Sequence, residues 1–182
     1  MKKVNALLLG LFVAFSFSCG DDDDGGPSGP QEEDFVGVWA LANVEGNEDQ
    51  ETTVGNNSTP FFNTTINDTN DTDFTLDFTA DPNTVEAEGT YTLISQKEFE
   101  DGSEDEFTTV TYVDGDEFSS SWSYNNDTDE VTFSGAGGTR TYTLTTINDN
   151  SLVLTFENVV EVNANNAITT TRTEITYTFT KQ

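Results

Sequence analysis

From residue 35 to the C-terminus, apolar and polar side chains alternate over stretches of roughly five to nine residues, and most stretches end in a turn rich in Asn, Asp and Gly. A period of two puts every second side chain on one side of a strand, so the pattern predicts strands with one buried face and one wet face. The 3.6-residue recurrence of an amphipathic helix is absent from it. The first strand is residues 35–44 ("FVGVWALANV"). Residues 74–78 ("FTLDF") carry Phe74, Leu76 and Phe78 on one face, and after the turn "ADPNT" the alternation runs from Val85 through Tyr91 to Leu93. Residues 107–113 precede "DGDE", an Asp-Gly hairpin signal that leads into Phe118, Ser120, Trp122 and Tyr124. Val131 and Phe133 follow "NNDTD", and Arg140, Tyr142 and Leu144 follow "GAGG". Leu152, Leu154 and Phe156 come after "INDN", and Ile175, Tyr177 and Phe179 form the apolar face of the last strand. Threonine dominates the outward positions, where β-branched polar side chains suit a pleated surface.

Serial hairpins of this kind predict an all-β domain over residues 34–182, an antiparallel up-and-down β-barrel of about 8–10 strands. The nine clear strands raise a geometric problem, because an odd count makes the first and last strands of a strict up-and-down barrel parallel. Either that pair closes in parallel or one more strand exists. Residues 45–72 have room for it, and "TPFFNTTI" around Phe61 and Phe62 fits best. With nine alternating strands, Arg140 starts a strand running the same way as the first, at the end that holds Phe35, Gly37 and Trp39. An extra strand between residues 45 and 72 reverses that placement.

Upstream of the barrel the pattern changes. Met1, Lys2 and Lys3 lead into the apolar run "VNALLLGLFVAFSFS", which ends at Cys19, the only cysteine in the chain. A positive start, an apolar run and small residues before the end make residues 1–18 an export signal. The run is shorter than the roughly 20 apolar residues a spanning helix needs. Cys19 has no partner for an internal disulfide, so it is a lipid attachment point or a free thiol. Residues 19–33 include "GDDDDGGPSGP", which buries nothing apolar and predicts an acidic flexible tether. The 34 acids outnumber 6 Lys and Arg, for a net charge of −28. Loss of Lys2 and Lys3 with the signal takes the mature chain to about −30. Nucleic acid and bare anionic membrane are repelled by such a surface and are not expected partners.

The segment ending at Cys19 resembles a bacterial lipoprotein signal. That resemblance implies cleavage before Cys19, acylation of its thiol and new amino group, and anchoring at the outer membrane, since two acyl chains already hold a protein stably at a bilayer. The acidic run that follows looks like the signals that send Bacteroidetes lipoproteins to the outer face of the outer membrane, with the periplasmic face as the alternative. The segment "DFVGVWALANVE", with Gly37 and Trp39 as a Gly-x-Trp on the first strand, resembles the opening of the lipocalin-like lipoproteins of Bacteroidetes. "GTYTL", "WSYN", Tyr142-Thr143-Leu144, "NSLVLTF" and "TYTFTK" extend the likeness over residues 34–181. It implies a calyx-like barrel, whose end characterised lipocalins close with an arginine from late in the chain; by order that would be Arg172, against which its outward parity stands.

With no histidine and a single cysteine, Ser-His-Asp and Cys-His catalysis and ordinary zinc sites are excluded. A glycosidase-like carboxylate pair needs only two acids about 5 to 10 Å apart, but strand parity sends nearly all acids to water or to turns. The expectation is therefore a non-catalytic protein with no catalytic residue. A carbohydrate-binding or glycoside-acting domain, which requires exposed coplanar aromatics or a close acid pair, is the less favoured alternative. Asp101-x-Ser103-x-Asp105 begins like a calcium loop, but Glu106 and Tyr112 stand where that loop needs glycine and a bidentate glutamate. Asp68, Asp71, Asp73, Asp127 and Asp129 read as turn residues bonding their own backbone. Neither metal nor cofactor is expected.

Arg140 shares the parity of Tyr142 and Leu144 and is expected to point inward, where a charge needs a partner. That partner is the ring of Trp39, closing the barrel end for about 0.5 to 2 kcal/mol, or the anionic group of a bound molecule. Arg172 has the parity opposite to Ile175, Tyr177 and Phe179 and is expected to face water. Trp122, Tyr124, Tyr142 and Tyr177, with Arg140, are the candidate walls of a pocket for a small apolar or amphipathic ligand. Alternatively the inward rings fill the barrel, as side chains do in small barrels, which leaves a cell-surface interaction or scaffold module.

Overall fold

A computed structural model describes residues 29–68, 72–99, 109–113 and 118–182. Cys19, the signal and the first ten residues of the tether lie outside the described residues, as do Asp101, Ser103, Asp105 and Glu106. One helical turn, α1 (Glu32–Phe35), precedes eleven strands. These are β1 (Gly37–Val54), β2 (Asn57–Asp68), β3 (Thr75–Thr79), β4 (Thr84–Glu88), β5 (Tyr91–Phe99), β6 (Thr109–Val113), β7 (Ser120–Asn125), β8 (Glu130–Gly135), β9 (Gly138–Ile147), β10 (Ser151–Ala164) and β11 (Ala167–Lys181).

Eight of them form a closed antiparallel barrel in the order β1-β3-β4-β7-β8-β9-β10-β11, with β11 returning to β1. The fold is thus all-β and lipocalin-like. Two differences from the sequence pattern account for the strand count. The alternation over residues 85–93 is two strands, because the chain breaks at Gly89, whose φ is +82° and where a Cβ would stand 2.5 Å from the carbonyl oxygen of Asp73. Only glycine tolerates both. The extra strand between residues 45 and 72 is β2, which includes Phe61 and Phe62 and pairs back along β1. With an even barrel count β1 and β11 pair antiparallel, and β9 runs against β1, so Arg140 starts β9 at the end away from Phe35.

Three barrel strands are longer than the barrel. Over residues 37–40 β1 pairs with β3, but from Glu45 onward its partner on that side is β2. Because β2 pairs with β5 and β5 with β6, an open sheet in the order β10-β11-β1-β2-β5-β6 continues from one end of the barrel as a wing. At the junction stands Gly46, where a Cβ would collide with the carbonyl oxygen of Glu174 and lie 2.9 Å from the Cα of Ile175. The first and last strands approach there more closely than a side chain allows.

Phe35, Trp39, Phe74, Phe78, Tyr91, Phe118, Phe133, Tyr142 and Phe179 are fully buried and form the core with Leu76, Leu152 and Leu154. The shortest seam of the barrel is β4 to β7, with the pairs Thr84↔Ser121 and Val85↔Ser120. Side chains extend it: Ser119 Oγ accepts from the Ala87 N–H at 3.0 Å, and Trp122 Nε1 donates to the Thr79 carbonyl at 3.0 Å. Gly46→Ala is expected to lower stability by about 1 to 3 kcal/mol, because backbone rather than a mobile side chain must move. Urea unfolding followed by tryptophan fluorescence checks this, and an unchanged midpoint would mean that the β1–β11 approach can relax without cost.

Candidate functional site

At the end of the barrel nearest the N-terminus, α1 turns Phe35 across the opening. Its ring lies 5.2 Å from Trp122, 5.2 Å from Tyr124 and 6.0 Å from Phe78 between centroids. Gln31 and Asp34 cap the turn reciprocally, the Gln31 N–H donating to Asp34 Oδ2 at 2.8 Å. Trp39 is wholly buried beneath it and donates from Nε1 to the Phe35 carbonyl at 2.7 Å, so the indole's one polar atom is satisfied by the residue that plugs the barrel. Gly37 adopts φ +123°, and a Cβ there would come within 3.3 Å of Lys181 Cε. The glycine leaves space for the Lys181 ammonium, which sits 4.9 Å from the centre of the Trp39 ring.

The cation over Trp39 is therefore Lys181 and not Arg140. Trp39 and Lys181 face each other across the closing ladder, whereas Arg140 faces Phe133 on β8. Lys181 was not among the residues expected to close the barrel, although its inward parity, shared with Tyr177 and Phe179, is a signal that could have identified it. Arg140 has inward parity too, but it stands above the first buried residue of β9 and is exposed. Its guanidinium lies 5.9 Å from the ring of Phe156, near where β9 and β10 part. Arg172 faces water as expected, paired with Glu51 at 2.8 Å on the wing. Hydrogen bonds from Arg172 and then Ser58, with the guanidinium charge behind them, hold the Glu51 carboxyl below its usual range.

Trp122, Tyr142 and Tyr177 are buried and Tyr124 is half-buried. The structure gathers these four rings in two groups. Trp122 and Tyr124 surround Phe35, while Tyr142 and Tyr177 meet each other at 6.0 Å near the wing. The space between is occupied: Phe78 meets Phe133 at 6.0 Å, Phe133 meets Phe118 at 5.5 Å, and Phe118 meets Tyr177 at 5.6 Å. Tyr91, the first residue of β5, seals the far end against Phe74 at 5.1 Å and Tyr177 at 6.2 Å. Phe35 and Phe118 both take part in this filling. Each sits just before a strand and shares its inward parity, Phe35 with Trp39 and Phe118 with Trp122, so alternation signals that the ring faces the core but not how far it reaches into it.

Among the described residues, surface depressions lie on the wing and beside the β9–β10 turn. One of about 330 Å³ is lined by Glu45, Asn47, Thr65 and Glu174, another of about 200 Å³ by Asp49, Glu157, Arg172 and Glu174. Both are polar. Asp73 and Asp129 serve the backbone and a neighbouring ring: Asp73 Oδ1 accepts from the Thr90 N–H at 2.8 Å, and Asp129 Oδ1 accepts from the Tyr124 hydroxyl at 2.9 Å. Burial first, and the Asp129 carboxylate second, push the Tyr124 phenol up to about 12.

The class these features define is a closed lipocalin-like barrel with a plugged N-terminal end and an aromatic interior. Comparison of the chain with family models, with curated proteins and with solved structures found no match.

Lys181→Ala is expected to cost about 0.5 to 1 kcal/mol, the range for an exposed cation on an indole, and Arg140→Ala less. Equal losses in denaturant unfolding would mean that the Trp39 contact does no more than the Phe156 one. In an alkaline titration at 295 nm, Tyr124 is expected to ionise near 12, above the free phenol at about 10. The folded state then favours the neutral phenol, so this stabilisation is whole below about pH 10 and is lost as pH rises towards 12. Asp129→Asn should bring the Tyr124 midpoint down without abolishing the shift, because burial is its larger cause.

Proposed function

We propose that the protein is a lipoprotein anchored in the outer membrane through acylated Cys19, and that its lipocalin-like barrel is a filled, non-catalytic scaffold that works through its outer surfaces. The observation that supports this reading most is the ring-to-ring contact that runs through the barrel from Phe35 to Tyr91. A small apolar molecule inside the calyx, the other reading of the same aromatics, would have to displace rings such as Phe118 or Tyr142, each fully buried. Truncating one such ring in a packed core typically costs about 3 to 5 kcal/mol, so opening the barrel is expensive in proportion. The outer surface offers what the interior does not. It carries a wing of polar strands and, in the mature chain, a charge of about −30, which suits partners with positive charge.

Two measurements on the protein purified in detergent from its own host test the reading. Intact mass is expected to equal the chain from Cys19 plus acyl groups, and Cys19→Ala is expected to lose them and leave the membrane fraction. Titration with cis-parinaric acid or 1-aminoanthracene is expected to give no saturable binding. Stoichiometric binding that quenches tryptophan would show an open calyx and restore Trp122, Tyr124, Tyr142 and Tyr177 as pocket walls.

A further inference from the structure

Along β10 the partner on the β9 side stops at Thr155, whereas pairing with β11 continues to Ala164. Residues 157–164 are therefore a sheet edge with no strand beside it among the described residues, and all of them are exposed. Alternate N–H and C=O groups along such an edge are ready to pair with another strand. Natural edges are blunted by charged side chains, proline, a bulge or shortness. This one carries charge only in Glu157 and Glu161, with no proline or lysine, and it displays Val159, Val160 and Val162 at 60%, 46% and 57% exposure.

Its two faces differ. Asn158, Val160 and Val162 share one face. On the other, Glu157 and Glu161 flank Val159, and Glu157 stands directly across from Glu174 of β11. Arg172, across from Val159, is already paired with Glu51, and Arg140 lies over the ring of Phe156, just before the edge begins. A strand added here meets valines on one side and carboxylates on the other. A second copy of this chain is a poor fit, since each copy brings a net charge of −28 and its own glutamates to the contact.

We propose that the free edge of β10 is a strand-addition site for an extended cationic segment of a partner protein, with apolar residues alternating with Lys or Arg. Main-chain pairing supplies affinity and the alternating side chains supply selectivity. The proposal names the partner for the surface reading above and rests on it. Dye titration tests the barrel and peptide binding tests the edge, so the two fail separately.

The test uses the mature lipoprotein in detergent and a fluorescein-labelled peptide, acetyl-Thr-Lys-Val-Lys-Val-Lys-Val-Thr-amide, read by anisotropy. Binding is expected, weakened by salt, and weakened at least tenfold when alternate peptide amides are N-methylated on the pairing side. The same peptide with Glu for Lys is expected not to bind. N–H groups alternate in direction along a strand, so of Val159→Pro and Val160→Pro one keeps the β11 ladder intact. The variant that retains the native melting temperature should lose peptide binding at least tenfold. Should both unfold, hydrogen exchange decides, with protection of amides in residues 157–164 expected on adding peptide. Equal affinity for methylated and unmethylated peptides would overturn the proposal in favour of charge attraction alone. Absence of binding, or self-association abolished by the tolerated proline, would overturn it as well, the latter by assigning the edge to a second copy.

Discussion

The structure depends on the pairing of its first strand with its last. β1 and β11 run antiparallel from Trp39↔Lys181 to Val54↔Ala167, and this ladder both shuts the barrel and carries the wing. Closure is the one arrangement that leaves a sheet no edge, but the contact spans nearly the whole domain and must be assembled against the entropy of the intervening chain. The side chains at its end repay part of that cost. Lys181 covers Trp39, Trp39 holds the carbonyl of Phe35, and Phe35 plugs the opening, so closure, plug and core form one connected set of contacts.

The wing follows from the same ladder. Because β1 and β11 continue together beyond Gly46, β2 and β10 gain partners outside the barrel, and β5 and β6 are carried with them. Here the cross-strand contacts are polar: Gln50 donates to Thr171 at 3.1 Å, Thr173 to Glu48 at 3.2 Å, and Arg172 meets Glu51. Exposed pairs of this kind contribute only tenths of a kcal/mol each. The barrel therefore holds most of the folding free energy, while the wing is a comparatively weak sheet with a bare edge.

In the proposed reading, a filled barrel and a polar wing divide the labour of the molecule. Ring packing gives the barrel rigidity and leaves little interior for a guest, whereas the wing presents main-chain groups and carboxylates to solvent. Charge is consistent with the proposed surface role, since a surface this acidic repels copies of itself and complements cationic groups. The depressions on the wing are shallow places between glutamates and threonines rather than cavities.

Alternation is a local property, so the sequence by itself determined which segments are strands and which of their faces are apolar. Val131 and Phe133, Leu152 and Leu154, and Tyr177 and Phe179 are buried as their parity requires. Partner choice is not local. The unbroken pattern over residues 85–93 conceals a change of strand partners at Gly89, where β4 leaves the barrel pairing and β5 joins the wing, and where the Asp73 backbone comes too close for a side chain. Depth is not local either: Arg140 and Lys181 share inward parity, yet only Lys181 is brought over Trp39, because β11 and not β9 lies beside β1. Whether the inward rings enclose a space or fill it was likewise decided by tertiary structure. The volume inside a barrel depends on strand closure and on how far rings such as Phe35 and Phe118 reach inward, and the period along the chain encodes their face but not that depth.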